Sequence, residues 1–181
     1  MKKLICLVIA LVCFASLAMA ESTPSKTVED LYKVDVVETE NGQTFILDVV
    51  LEDEAAKTEA EKLNAAASVE SYFGEVKNYA GEVVNMKEYL NAETLNVFEF
   101  TGLKAENFSE EMGQVTAVFQ FATPYEAGTK VLMLIGEKQD DTVAWTAFDG
   151  EVTEEGVKVV LPADVVKNIQ DGGCMLAVVS A

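Results

Sequence analysis

Two hydrophobic periods divide this chain. Val34-Asp35-Val36-Val37 and Phe45-Ile46-Leu47-Asp48-Val49-Val50-Leu51 are β-branched runs separated by Glu40-Asn41-Gly42-Gln43. Asn-Gly between two such runs is the strongest short hairpin signal, because the favoured two-residue turn needs positive φ at its centre. Glu52 and Asp53 then open a helix, since acids at that end face the positive pole of the helix dipole. Ala56, Ala60, Leu63, Ala67 and the run 69–73 recur at helical spacing. They predict one helix from 54 to about 73, stopped by Gly74. Between 75 and 93 the pattern supports a tight turn at Ala80-Gly81 and a helical turn over 86–90 capped by Asn85.

From Leu95 onward period two takes over. Strands are expected over 95–101, 115–121, 130–135, 143–148, 151–153, 157–161 and 174–180. Val115, Ala117, Phe119 and Phe121 share one face, and 130–135 is apolar on both faces, as in a central strand. Gly150 and Glu154-Glu155-Gly156 read as breaks between strands. Pro162 starts a short helix, because its missing N–H costs nothing at the first helical position, and Asp171-Gly172-Gly173 ends it. Short strands separated by Gly and Pro turns predict a mainly β protein. Residues 94–181 are expected to form an immunoglobulin-like β-sandwich, preceded over 34–93 by a small α+β segment of one hairpin and one helix. Trp145, sharing its face with Val143 and Ala147, is expected in the core.

The first residues carry a different pattern. Lys2 and Lys3 precede an apolar run to Leu17, followed by Ala18-Met19-Ala20 and Glu21. That is the order of a secretory signal peptide over 1–20, cleaved after Ala20. The alternative, an uncleaved anchor, wants about 20 apolar residues. A polar arm is expected over 21–33. The mature chain would then be secreted or extracellular, with association at the cell surface left open.

Charge narrows the partners. The chain has 13 basic and 31 acidic residues, for a formal net charge of −18. Loss of Lys2 and Lys3 with the leader deepens that by two. Every basic residue is lysine. Such a surface repels nucleic-acid phosphate and anionic headgroups, so no nucleic acid is expected. The apolar run from Cys174 is too short to span a bilayer, so no membrane span after cleavage is expected either.

The same composition removes whole reaction classes. There is no His, so a His-dependent triad or Cys–His pair cannot be built. Of the three cysteines two lie in the leader, leaving Cys174 in an apolar run. A disulfide framework and a His/Cys zinc site are therefore excluded. No Gly-rich phosphate loop is present: Gly172-Gly173 precedes a strand and lacks the following Lys-Ser/Thr. The acidic pairs Glu110-Glu111, Asp140-Asp141 and Glu154-Glu155 fall in expected turns, where a raised carboxyl pKa for glycoside hydrolysis is not expected. The expectation is no enzyme and no cofactor. The weak alternative is calcium at the loop 137–142, which offers oxygens but lacks alternating Asp spacing and contains Lys138.

The segments Phe98-Glu99-Phe100-Thr101-Gly102-Leu103 through Gly113-Gln114-Val115, Phe121-Ala122-Thr123-Pro124-Tyr125, Val143-Ala144-Trp145 and Leu161-Pro162-Ala163-Asp164 together resemble a module of secreted and surface proteins of anaerobic Gram-positive bacteria. These are uncharacterised proteins with a C-terminal immunoglobulin-like sandwich. The resemblance spans roughly 70–181. It implies an extracellular setting and a binding or structural role, with no catalytic residues to carry over. The expected function is a non-enzymatic extracellular interaction or structural module, its partner a protein or a cell-envelope component. The alternative is a carbohydrate-binding module, because a sugar's C–H face stacks on exposed rings. Tyr72, Tyr79, Tyr125 and Trp145 are the candidate rings, and Tyr125, in a turn after Thr123-Pro124, is the candidate ligand contact.

Overall fold

The computed structural model describes residues 31–121 and 126–181. The leader and nearly all of the arm lie outside them. In chain order the elements are β1 (Leu31–Thr39), β2 (Ile46–Val50), α1 (Glu54–Ala65), α2 (Val69–Phe73), β3 (Lys77–Asn78), α3 (Met86–Leu90), β4 (Asn96–Glu106), a 3-10 turn (Glu110–Met112), β5 (Val115–Phe121), β6 (Lys130–Gln139), β7 (Thr142–Thr153), β8 (Gly156–Leu161), α4 (Ala163–Asp171) and β9 (Cys174–Ser180).

Among the described residues the long strands form one antiparallel sheet of eight, in the order β1-β5-β8-β7-β6-β9-β4-β2, nearly closed into a barrel. The two-residue β3 adds to β7 in parallel. This corrects the immunoglobulin-like sandwich: there is one sheet, not two. Alternation and turn spacing are the same in both architectures, so they do not distinguish them. What bends one sheet round is its long strands. β4, β6 and β7 run through Gly102, Gly136 and Gly150 without breaking. Gly150 was expected to end a strand. Instead it is buried where a Cβ would meet Val131, Met133 and Val157 at 2.7–2.9 Å, so it permits close approach at a bend.

The hairpin is also corrected. The turn forms, with Gly42 at φ 72° donating its N–H to the Thr39 carbonyl at 3.0 Å. Yet β1 pairs with β5 and β2 with β4, so the two runs end up at opposite ends of the hydrogen-bonded order. Their edges then approach across the barrel's seam. The single helix becomes two. Ser68 accepts from the Ser71 N–H while Ser71 Oγ accepts from the Ser68 N–H, a reciprocal cap that starts α2 anew.

Two apolar layers result. Inside the barrel, Val115, Ala117 and Phe119 of β5 meet Met133, Ile135, Leu176 and Val178. α4 crosses one end of the barrel from β8 to β9 and adds Val165, Val166 and Ile169 to that interior. Outside, α1, α2 and α3 cover β4, β9, β6 and β7, with Leu63, Phe73 and Leu90 packed on Leu134, Trp145 and Ala177. β6 and β9 are therefore buried on both faces, and each fully buried Leu, Ile, Met or Val there is worth about 1.5–3 kcal/mol. Trp145 packs against Phe73 at 5.1 Å and Phe100 at 5.5 Å between ring centroids. Its ring lies across Gly136, where any Cβ would clash at 2.6 Å. β9 lies between β6 and β4, so it is a central strand rather than an edge strand available for exchange. Glu99, beside the bulge in β4, is fully buried, and its Oε1 accepts the Phe100 N–H at 3.1 Å.

Candidate functional site

The helices cover only part of the barrel's outer surface. Beyond them, β6, β7 and β8 form the floor of a groove of about 750 Å³. Period two decides what the floor shows. Val131, Val152 and Val157 turn inward, so Lys130, Glu151 and Lys158 turn out. They are direct cross-strand partners: Lys130 faces Glu151, and Glu151 faces Lys158. Asp149 follows two residues earlier on β7, and Val160 two residues later on β8.

One wall is the turn after β3. Asn78 donates its N–H to the Glu82 carbonyl at 2.8 Å, and Gly81 donates to the Asn78 carbonyl at 2.9 Å. The Asn78 side chain bonds Glu82 twice more, to the backbone N–H and to Oε2. This locked turn carries Tyr79, which lines the groove and is 54% exposed. Its hydroxyl donates toward both Asp164 oxygens, each at 3.0 Å, which ties the wall to the first turn of α4 and raises its pKa. The Tyr79 ring lies 6.3 Å from Phe148 at 33°.

The other wall is α3, started by Asn85, whose side chain accepts the Glu88 N–H. It brings in Tyr89. Burial, with Asp149 beside the hydroxyl, pushes Tyr89 up to about 12. Lys130 Nζ stands 5.4 Å from the centre of that ring, within cation–π range.

The floor lysines are unusual in this acidic chain. Among the described residues, Lys130, Lys138 and Lys158 have no carboxylate within ion-pair distance. Every other described lysine lies within 3.7 Å of an Asp or Glu oxygen. Two of the three uncommitted ammonium groups therefore line this groove. It offers donors and acceptors alternating across three strands, beside an open aromatic ring.

A second cavity, of about 410 Å³, lies along the seam between β1 and β2. It is lined by the exposed turn residues Gly42, Gln43 and Thr44 together with the buried Val34 and Leu47, and Thr39 Oγ1 there already donates to the Gln43 carbonyl. A small third cavity, of about 140 Å³, sits where α1 meets the turn between β6 and β7 and includes Lys138, Asp140 and Asp141. Among the described residues no group of three or more acidic or Cys side chains is arranged to hold a metal ion.

Of the candidate rings, Trp145 is core, Tyr72 is half-buried with its hydroxyl on Glu59 at 2.9 Å, and Tyr79 is in the groove. Tyr125 lies outside the described residues. Cys174 is buried, and burial with Glu137 nearby pushes its thiol up to about 12. Sequence reasoning did not single out Tyr89, Lys130, Asp149, Glu151 or Lys158. Their signal is the alternation that puts charged residues on the outer face of adjacent strands, but which strands are adjacent is not local information.

Comparison with known proteins gives no match: no family model fits the chain, and no curated protein or solved structure is significantly similar to it.

Proposed function

We propose that the protein is a secreted, non-enzymatic extracellular interaction module that binds a cell-envelope component through the groove on β6, β7 and β8. One observation carries this reading. In a chain of net charge −18, Lys130 and Lys158 stand on the groove floor uncommitted to any carboxylate within ion-pair distance. Binding surfaces keep a few placed polar groups ready for a ligand while the surrounding walls are set by the fold. The locked turn and α3 supply those walls, so little ordering would be needed on association. The order of charges, apolar run and small residues over 1–20 supports export, with the mature chain beginning at Glu21.

The test is co-sedimentation of the purified protein with isolated Gram-positive cell envelopes, comparing wild type with a Lys130→Ala/Lys158→Ala variant. The expected result is sedimentation of wild type and a drop of about tenfold in apparent affinity for the variant, as for loss of a central contact. Equal sedimentation of both would remove the groove from the binding surface.

A further inference from the structure

We infer that the groove takes an uncharged glycan chain, laid across β6, β7 and β8 with a sugar ring against Tyr79. This rests on the groove being the binding surface, and it names the class of ligand.

The first argument is charge. Lys130 and Lys158 are balanced by Asp149 and Glu151 within the same floor, and Glu151 stands between the two lysines across the ladder. A polyanion would meet two carboxylates there, on a molecule of net charge −18. A polycation would meet two ammonium groups. A sugar hydroxyl both donates and accepts, and it can accept from an ammonium while donating to the neighbouring carboxylate. Alternating Lys-Glu-Lys is the arrangement that satisfies vicinal hydroxyls without favouring a net charge.

The second argument is the ring. Tyr79 is more than half exposed and is held by its hydroxyl and by the bonds across its turn. A flat apolar face with its rotamer already fixed suits the C–H face of a pyranose, because the ordering cost has been met before binding. Its hydroxyl is committed to Asp164, so the ring is offered as a surface rather than as a donor.

The third argument is extent and direction. Adjacent strands lie about 4.8 Å apart, so the row from Lys130 to Lys158 spans about 10 Å, the length of two sugar units end to end. An extended peptide adds at a sheet edge through backbone bonds. Here the floor is a sheet face whose backbone groups are already paired within the ladder.

The experiment is isothermal titration of the purified protein with cellohexaose, xylohexaose, mannohexaose and maltohexaose, with hexagalacturonate as the charged comparison. At least one neutral hexasaccharide is expected to bind. Tyr79→Ala is expected to weaken it about tenfold, Tyr79→Phe to weaken it less because the ring stays while its tie to Asp164 is lost, and Lys158→Ala to weaken it independently of the ring. Lys138→Ala, outside the groove, should leave it unchanged. The inference is overturned if none of the neutral chains binds, or if binding survives both Tyr79→Ala and Lys158→Ala. Binding of hexagalacturonate alone, lost at high salt, overturns the uncharged ligand while leaving the groove as the binding surface. Envelope binding indifferent to the groove lysines overturns both.

Discussion

Individual residues in this protein are set by what the fold places beside them from distant parts of the chain. Tyr72 is held by burial against the Trp145 cluster and by Glu59, and Tyr89 by burial and Asp149. Both phenols resist ionisation, because the charged form would be desolvated beside a carboxylate. For Tyr89 the folded value is about 12 against an ordinary 10.0. A phenol whose folded pKa exceeds its unfolded one contributes stability that is fully present below the unfolded value. That contribution is lost as pH rises through the folded value. Titration of tyrosinate absorbance should therefore show Tyr72 and Tyr89 ionising late, and unfolding midpoints in urea should fall as pH is raised from about 10 to 12. Tyr89→Phe should remove part of that fall. An alkaline titration in which every tyrosine ionises at its ordinary value would contradict the packing around α2 and α3.

At the scale of elements, local chemistry governs starts and stops, and partner strands govern lengths. Asp53 accepts the Ala56 N–H at 2.8 Å and begins α1. The cap has room because Gly102 beneath it has no side chain: a Cβ there would come within 2.7 Å of Asp53. Asp53→Ala should cost about 1 kcal/mol, read as a lower urea midpoint with an unchanged m-value. A loss of a few tenths only would mean that docking on β4, not the cap, holds α1 in place. Asn85, Gly74 and the turn at Ala80-Gly81 were all legible, because each needs only its own neighbours in sequence. The break between α1 and α2 was missed: alanines continue the helical stripe through 65–67 and masked the Ser68 cap. β7 was expected as two strands and is one, because Gly150 is there for a neighbour's bulk rather than for a turn.

At the scale of the molecule, the described residues form a nearly closed barrel in a chain of net charge −18. Like charges distributed over a compact surface repel, and salt screens them over a Debye length of about 8–10 Å at physiological ionic strength. Raising sodium chloride from low to physiological concentration should therefore raise Tm by a few degrees, in calorimetry at neutral pH. The exposed ion pairs pull weakly the other way, since such pairs are worth only about 0–1 kcal/mol each. A Tm that falls with salt would mean that the pairs outweigh the repulsion.

By itself the sequence determined the β-rich class, most strand positions, the Asn85 cap and the Gly74 stop, the buried Trp145 and Cys174, and the lack of His- and Arg-based chemistry. Those follow from composition, from period two and from hydrogen bonds a few residues long. Tertiary structure alone decided that β1 and β2 part company to become the two ends of one sheet. It also decided that the sheet curls into a barrel, and that Lys130, Glu151 and Lys158 lie in a row in the groove that Tyr79 also lines. The reason is physical: alternation tells a strand which side is apolar, but not which strand lies next to it. A site assembled from β3, α3, β6, β7 and β8 exists only once that adjacency is set by packing.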